Sequence, residues 1–227
     1  MWAIIKKEFK SYFLSPIGYV VVGILLFVSS IFFYITSVQT GSVDLSSLYY
    51  YMALYGLIIA APILTMRMFA EERKNGTEQL ILTAPISITK VVFGKLIAAL
   101  GVIIITLLIS FGYYAVVSFF AKTSIIPVLT SMLGFILITT AAISVGMLAS
   151  SITENQVISA IITIAFLLMS IFLENINTAF ASLSIMNFYE KFPSGVVSLT
   201  EVAGLVSFSI VFIALTILVM QRRKSVK

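Results

Sequence analysis

Groups able to do chemistry are scarce in this chain. It has no cysteine and no histidine, which removes disulfides, thiol nucleophiles, thiolate or imidazole metal ligands and most general-base catalysis. Its serines lie among apolar residues, without the neighbouring base that a serine nucleophile needs. Gly94-Lys95 is followed by Leu96 and has no glycine five residues before it, so it is not a phosphate-binding loop. The chemistry that remains is that of charge. The stretch from Arg67 to Lys95 holds five of the fourteen basic residues, Arg67, Arg73, Lys74, Lys90 and Lys95, and three of the nine acidic ones, Glu71, Glu72 and Glu78. Within it, Asn75-Gly76-Thr77-Glu78 reads as a helix start, with Asn75 as cap and Glu78 reaching back. Leu80, Ile81 and Leu82 give the helix an apolar surface, Pro85 stops it, and Ser87 can cap the next one. A helix of about two turns is marginal alone, so it is expected to become rigid by docking on something outside this chain.

The elements that hold this stretch are membrane spans. Of 227 residues, 60% are hydrophobic and 10% charged, against about 25% charged in a soluble domain. The reading is an all-α integral membrane protein, a single transmembrane domain over 1–227, with six transmembrane helices near 17–38, 48–66, 96–120, 125–148, 157–173 and 202–220. Residues 1–15 form an amphipathic interfacial helix ended by Pro16. The apolar run that follows is too long for a signal-peptide core, so it is read as a retained first span. Span 5 is close to the lower limit of about 17 residues. Six spans put both termini on one side. Twelve basic residues fall on that side with the 67–95 stretch, and two, Lys122 and Lys191, on the other. The positive-inside bias then makes the termini and the stretch cytoplasmic. The net charge of +5 belongs to this anchoring pattern rather than to nucleic-acid binding. No acid or base falls near the middle of a span, which argues against an ion-coupled carrier.

Two further features are local. In span 4, Gly134, Ala142, Gly146 and Ser150 share one ridge, and small residues there let helices approach closely. Residues 174–200 are too polar to span and too apolar for a free loop. Short extracytoplasmic helices before span 6 are expected, with Phe180, Leu183, Ile185, Met186 and Phe188 apolar among polar neighbours.

The segment PILTMRMFAEERKNGTEQLILTAPIS resembles the ABC-2 type of ABC transporter permease. In that family spans 2 and 3 are joined by a cytoplasmic loop reading roughly E-R/K-x-x-G-T, then leucine, then proline. The matching positions are Glu72, Arg73, Gly76, Thr77, Leu80 and the Ala84-Pro85 pair. KKEFKSYFLSPIGY and FYEKFPSGVVSLTE look like the subgroup associated with bacterial gliding motility. The resemblance implies that the short helix is a coupling helix seated on a separate ATPase subunit, which would bind ATP, since this chain carries no cofactor site. It implies two ATPase subunits, a second permease copy or paralogue, surrounding lipid and a bacterial cytoplasmic membrane. Export of a substrate is the leading expectation. The alternative is a non-transporting scaffold that passes ATPase work to an extracytoplasmic partner.

Overall fold

The computed structural model describes residues 1–84, 86–176 and 184–225. Among them there is no strand, and ten α-helices follow in order. They are α1 (Trp2–Leu14), α2 (Ile17–Phe33), α3 (Ser46–Tyr51), α4 (Leu57–Thr65), α5 (Ala70–Lys74), α6 (Glu78–Thr83), α7 (Ile88–Phe120), α8 (Ile126–Ile152), α9 (Gln156–Ile176) and α10 (Leu199–Ser225). Single π-helical turns, Tyr34–Val38 and Met52–Gly56, extend α2 and join α3 to α4. Five stretches are long and apolar enough to cross a membrane: Ile17–Val38, Ser46–Lys74, Ile88–Phe120, Ile126–Ile152 and Leu199–Lys224. The apolar α9 lies between the last two of these.

The centre of the bundle is α8, which packs against α3, α4, α7, α9 and α10. Its small residues make this possible, though they face different partners. A Cβ on Gly146 would overlap the Thr65 side chain of α4, and one on Gly134 would overlap Phe192. Ala142 is buried beside Ala53, Leu57 and Met186. Ser150 touches the backbone after α4. The expected single ridge therefore serves a helix, a non-helical segment and a chain break in turn.

Several boundaries move outward from their expected places. The helix that carries the expected third span begins at Ile88, directly after the expected cap at Ser87, and so extends beyond the apolar run expected from about 96. Ser87 takes the N-cap position with extended backbone (ψ 138°), although its hydroxyl makes no capping bond. The segment expected to form short helices differs as well. Phe180 and Leu183 lie outside the described residues, and residues 185–195 form successive turns, with Tyr189 N–H donating to Met186 C=O and Phe192 N–H to Tyr189 C=O. Pro193, which lacks an amide hydrogen, and Gly195, with φ of 83°, prevent a longer helix. Ile185, Met186, Tyr189 and Phe192 are buried in the bundle. Tyr189 donates its hydroxyl to Ser131 C=O at 3.3 Å, and burial holds that hydroxyl well above the ordinary tyrosine range.

α1 does not lie on the bundle loosely. It sits in a groove on α7 whose floor is cut by two glycines. A Cβ on Gly94 would come within 2.9 Å of Ile4, and one on Gly101 within 2.8 Å of Phe9. The Tyr12 hydroxyl, pushed up by burial and so kept neutral, donates to Leu64 C=O at 3.1 Å and ties α1 to the end of α4.

Candidate functional site

The charged stretch closes one end of the bundle, where α1, the α4 end, the α8 end and the α10 end meet. Span 2 breaks after Thr65, and Met66–Phe69 leave the helix before α5 begins. The break frees backbone N–H groups that need partners. Ser150 supplies them: its Oγ accepts from the N–H of Phe69 and of Ala70, each at 3.1 Å. A hydroxyl on α8 thus does from across the bundle what a local N-cap does for an ordinary helix. Arg67 and Glu71 pair across one turn beside the break, Nη2 to Oε1 at 2.9 Å. Arg67 holds the Glu71 carboxylate in its charged form.

Two charged residues of α5 are tied in opposite directions. Glu72 reaches α7, where Lys95 Nζ lies 2.8 Å from Glu72 Oε1 and 3.2 Å from Glu8 Oε1 of α1. The lysine side chain is only 2% exposed and stands 5.4 Å from the Phe69 ring centre, close enough for a cation–π contribution. One buried ammonium therefore joins three elements. Arg73, the next residue, points to the end of α8. Its Nη1 donates to Ile152 C=O at 3.0 Å and its Nε lies 2.8 Å from Glu154. Arg223 of α10 donates to the same carbonyl at 3.4 Å and to Glu78 of α6 at 3.2 Å. Two guanidinium groups thus cap the carbonyl end of α8, where the helix dipole favours positive charge.

The Asn75-Gly76 pair works differently from its expected role. Asn75 follows the end of α5 and is not the cap of α6; its N–H donates to Glu71 C=O at 3.0 Å, and Gly76 N–H to Arg73 C=O at 3.1 Å. Gly76 has φ of 71°, the left-handed position that commonly follows a helix end and that glycine adopts at least cost. The N-cap of α6 is Thr77, without a side-chain capping bond. Its hydroxyl turns back to Glu72 C=O at 3.2 Å. The Glu78 carboxylate goes to Arg223 instead of the expected amide. Asn-Gly suits a helix end as well as a helix start, and the pairing with Arg223 decides between them. Leu80 is 71% exposed on α6. Pro85 lies outside the described residues.

Of the residues picked from sequence, Glu72, Arg73, Gly76, Thr77, Leu80 and Ser150 therefore meet in one region, while Gly134 and Ala142 pack elsewhere. Lys95, Glu8, Arg223 and Glu154 complete the region. A lysine in an apolar helix is a sequence signal for Lys95; nothing local points to the other three. A cavity of about 200 Å³ opens beside the Lys95 cluster between Ser11, Tyr12, Arg67 and Thr77. The arrangement offers no nucleophile with an adjacent base. What it does is tie α5 and α6 through ion pairs and hydrogen bonds to α1, α7, α10 and the end of α8.

Among curated proteins none matches the chain. The family model described as ABC-2 family transporter protein matches residues 5–170, which takes in most of α1, the charged stretch and most of α9. With that match over well over half of its length, the chain belongs to the ABC-2 family of transporter proteins and is a multi-pass membrane subunit, the permease, of an ABC transporter.

Proposed function

We propose that this permease couples a separate ATPase subunit to export across a bacterial cytoplasmic membrane, with α6 as the coupling helix. The observation that carries this reading is the exposed Leu80 on a short helix, held from behind by Arg223 and reached through the Gly76 turn. A helix so braced, with a large apolar side chain held out from it, is suited to burial of that side chain against a partner. Six spans, with α9 as the fifth, put both termini and the charged stretch on the cytoplasmic side, in keeping with the twelve-to-two division of basic residues. The assembly is two permease halves and two ATPase subunits, and the subgroup is that associated with gliding motility. The scaffold alternative needs an outward contact surface before α10. There Ile185, Met186, Tyr189 and Phe192 are buried while Val196, Val197 and Leu199 are exposed, and substrate flux in liposomes carrying the permease with its ATPase decides between export and the scaffold.

The topology has a direct test, since the chain has no cysteine of its own. Single cysteines at Lys7, Lys74 and Lys224 are expected to resist an impermeant thiol reagent in intact cells, and those at Lys122 and Lys191 to react. Reaction at position 74 from outside would refute the orientation.

Gly76→Val is expected to let the ATPase co-purify while releasing its hydrolysis from control by the permease. A β-branched side chain in the left-handed region is strained by roughly 1–3 kcal/mol, yet an added Cβ meets no atom within 4 Å. The turn is therefore altered without filling the contact surface. Gly76→Asn, whose side chain tolerates that region, should be milder. Equal, wild-type behaviour of both variants in co-purification and ATPase assays would remove the turn from the coupling path.

A further inference from the structure

The charged end sorts its charges unevenly. Each of its five described acidic side chains is in an ion pair: Glu8 and Glu72 with Lys95, Glu71 with Arg67, Glu78 with Arg223 and Glu154 with Arg73. Four lysines on the same end, Lys6, Lys10, Lys74 and Lys90, are exposed, and among the described residues none of them makes an ion pair. The negative charge is matched by pairs within the protein, and the unpaired charge left at the surface by these four lysines is positive. Lys74 stands just before the Gly76 turn and Lys90 just after the loop.

In the stretch that separates these two lysines in sequence, Leu80, Ala84 and Ile86 help to form an apolar recess. Ile4, Lys7, Leu80, Ala84, Ile86 and Val91 line a cavity of about 200 Å³, with Leu80 at its edge. Its lining is apolar apart from the bases of Lys7, Glu8 and Lys95, and its volume suits one large side chain. Asn75, Thr77 and Gln79 are exposed beside Leu80, so this surface faces water rather than lipid. An apolar recess within a charged rim has the anatomy of a protein interface, and complementarity fixes the sign of the partner's rim.

We infer that the docking face of the ATPase presents one large apolar side chain, aromatic or aliphatic, ringed by carboxylates, which fill the recess beside Leu80 and meet Lys74 and Lys90. This rests on the coupling role proposed above for α6 and adds the chemistry of the partner. The carboxylates steer the encounter and the side chain anchors it. The lysines on α1 extend the same positive surface toward the membrane.

The test measures binding of the purified ATPase subunit to the permease in phosphatidylcholine nanodiscs, at low and high salt. With Lys74→Glu and Lys90→Glu combined, affinity at low salt is expected to fall about tenfold, from two surface pairs lost and turned repulsive. The gap should narrow at high salt as screening grows. Ala84→Phe, which fills the recess, should weaken binding by a similar factor at both salt concentrations, while Ala84→Ser should not. All three positions are exposed or half-buried, so these variants fold. Unchanged affinity and salt dependence in the lysine pair, or unchanged affinity in Ala84→Phe, would overturn the inference. So would an effect of the lysine pair seen only as lost binding of phosphatidylglycerol vesicles, which would make the surface a lipid site. Leu80→Asp in the same assay separates the two claims. If it releases the ATPase while the lysine pair does nothing, only the inference fails; if Leu80→Asp binds normally, the coupling role of α6 fails with it.

Discussion

Leu80→Asp is expected to detach the ATPase subunit while every span remains inserted. Leu80 is 71% exposed in the chain alone, so its side chain contributes little within the permease that the substitution could remove. Burying a leucine is worth roughly 1.5–3 kcal/mol, and placing a carboxylate there adds the cost of desolvating a charge. Loss of the leucine term alone corresponds to about a 10- to 150-fold fall in affinity, and an assembly with two such contacts loses it twice. Co-purification of the ATPase is the measurement, with thermal stability of the isolated permease as control. A variant that retains the ATPase at the wild-type level would move the docking site elsewhere, and the turn between Ile152 and Gln156 would be the next place to look.

The second large effect is expected at Lys95. Lys95→Met leaves Glu8 and Glu72 facing one another with side chains 15% and 14% exposed and only the exposed Lys7, 3.7 Å from Glu8, as a nearby cation. Breaking a buried ion pair by removing one partner costs about 3–5 kcal/mol, because the remaining charge stays buried. The neighbouring cavity admits water to its edge, which places the expected loss toward the lower figure. The consequence is local before it is global: α1 should come away from its groove on α7, read as faster hydrogen exchange across Trp2–Leu14. Adding Glu8→Gln and Glu72→Gln should return much of the stability by removing the stranded charges. If Lys95→Met alone is as stable as wild type, with α1 equally protected, the cluster does not hold these elements together.

The five long apolar helices were legible in the sequence because such helices are read by length and hydropathy, and those properties are local. Their ends were less so. Hydropathy drops at Lys95, but a helix does not stop where polarity begins, so α7 runs back to Ile88. The Gly76 turn could be anticipated as a special position, since few other residues fit a positive φ. Its assignment to the end of α5 needed Glu78 to be seen on Arg223, a contact between residues 145 positions apart. The Lys95 cluster was hidden for the same reason. Glu72 is 23 positions from its partner and Glu8 is farther still, and no periodicity within a helix records which acid a buried base will find. The turns at 185–195 were misread because their apolar residues suit an interfacial helix as well as a plug, and only the groove at Gly134 distinguishes the two.

One consequence lies in the single turn of α5. Glu72 is anchored to α7 and α1 on one flank, and Arg73 to the ends of α8 and α9 on the other. A turn held on both flanks cannot spin about its own axis without slackening one anchor and straining the other. Torque applied through the loop is therefore converted into tilt, as in a yoke, and is delivered unequally to two sets of spans. The two pairs are equally short, 2.8 Å, but Glu72 with Lys95 is far better buried than Arg73 with Glu154, so the flank at α8 is expected to slacken before the flank at α7.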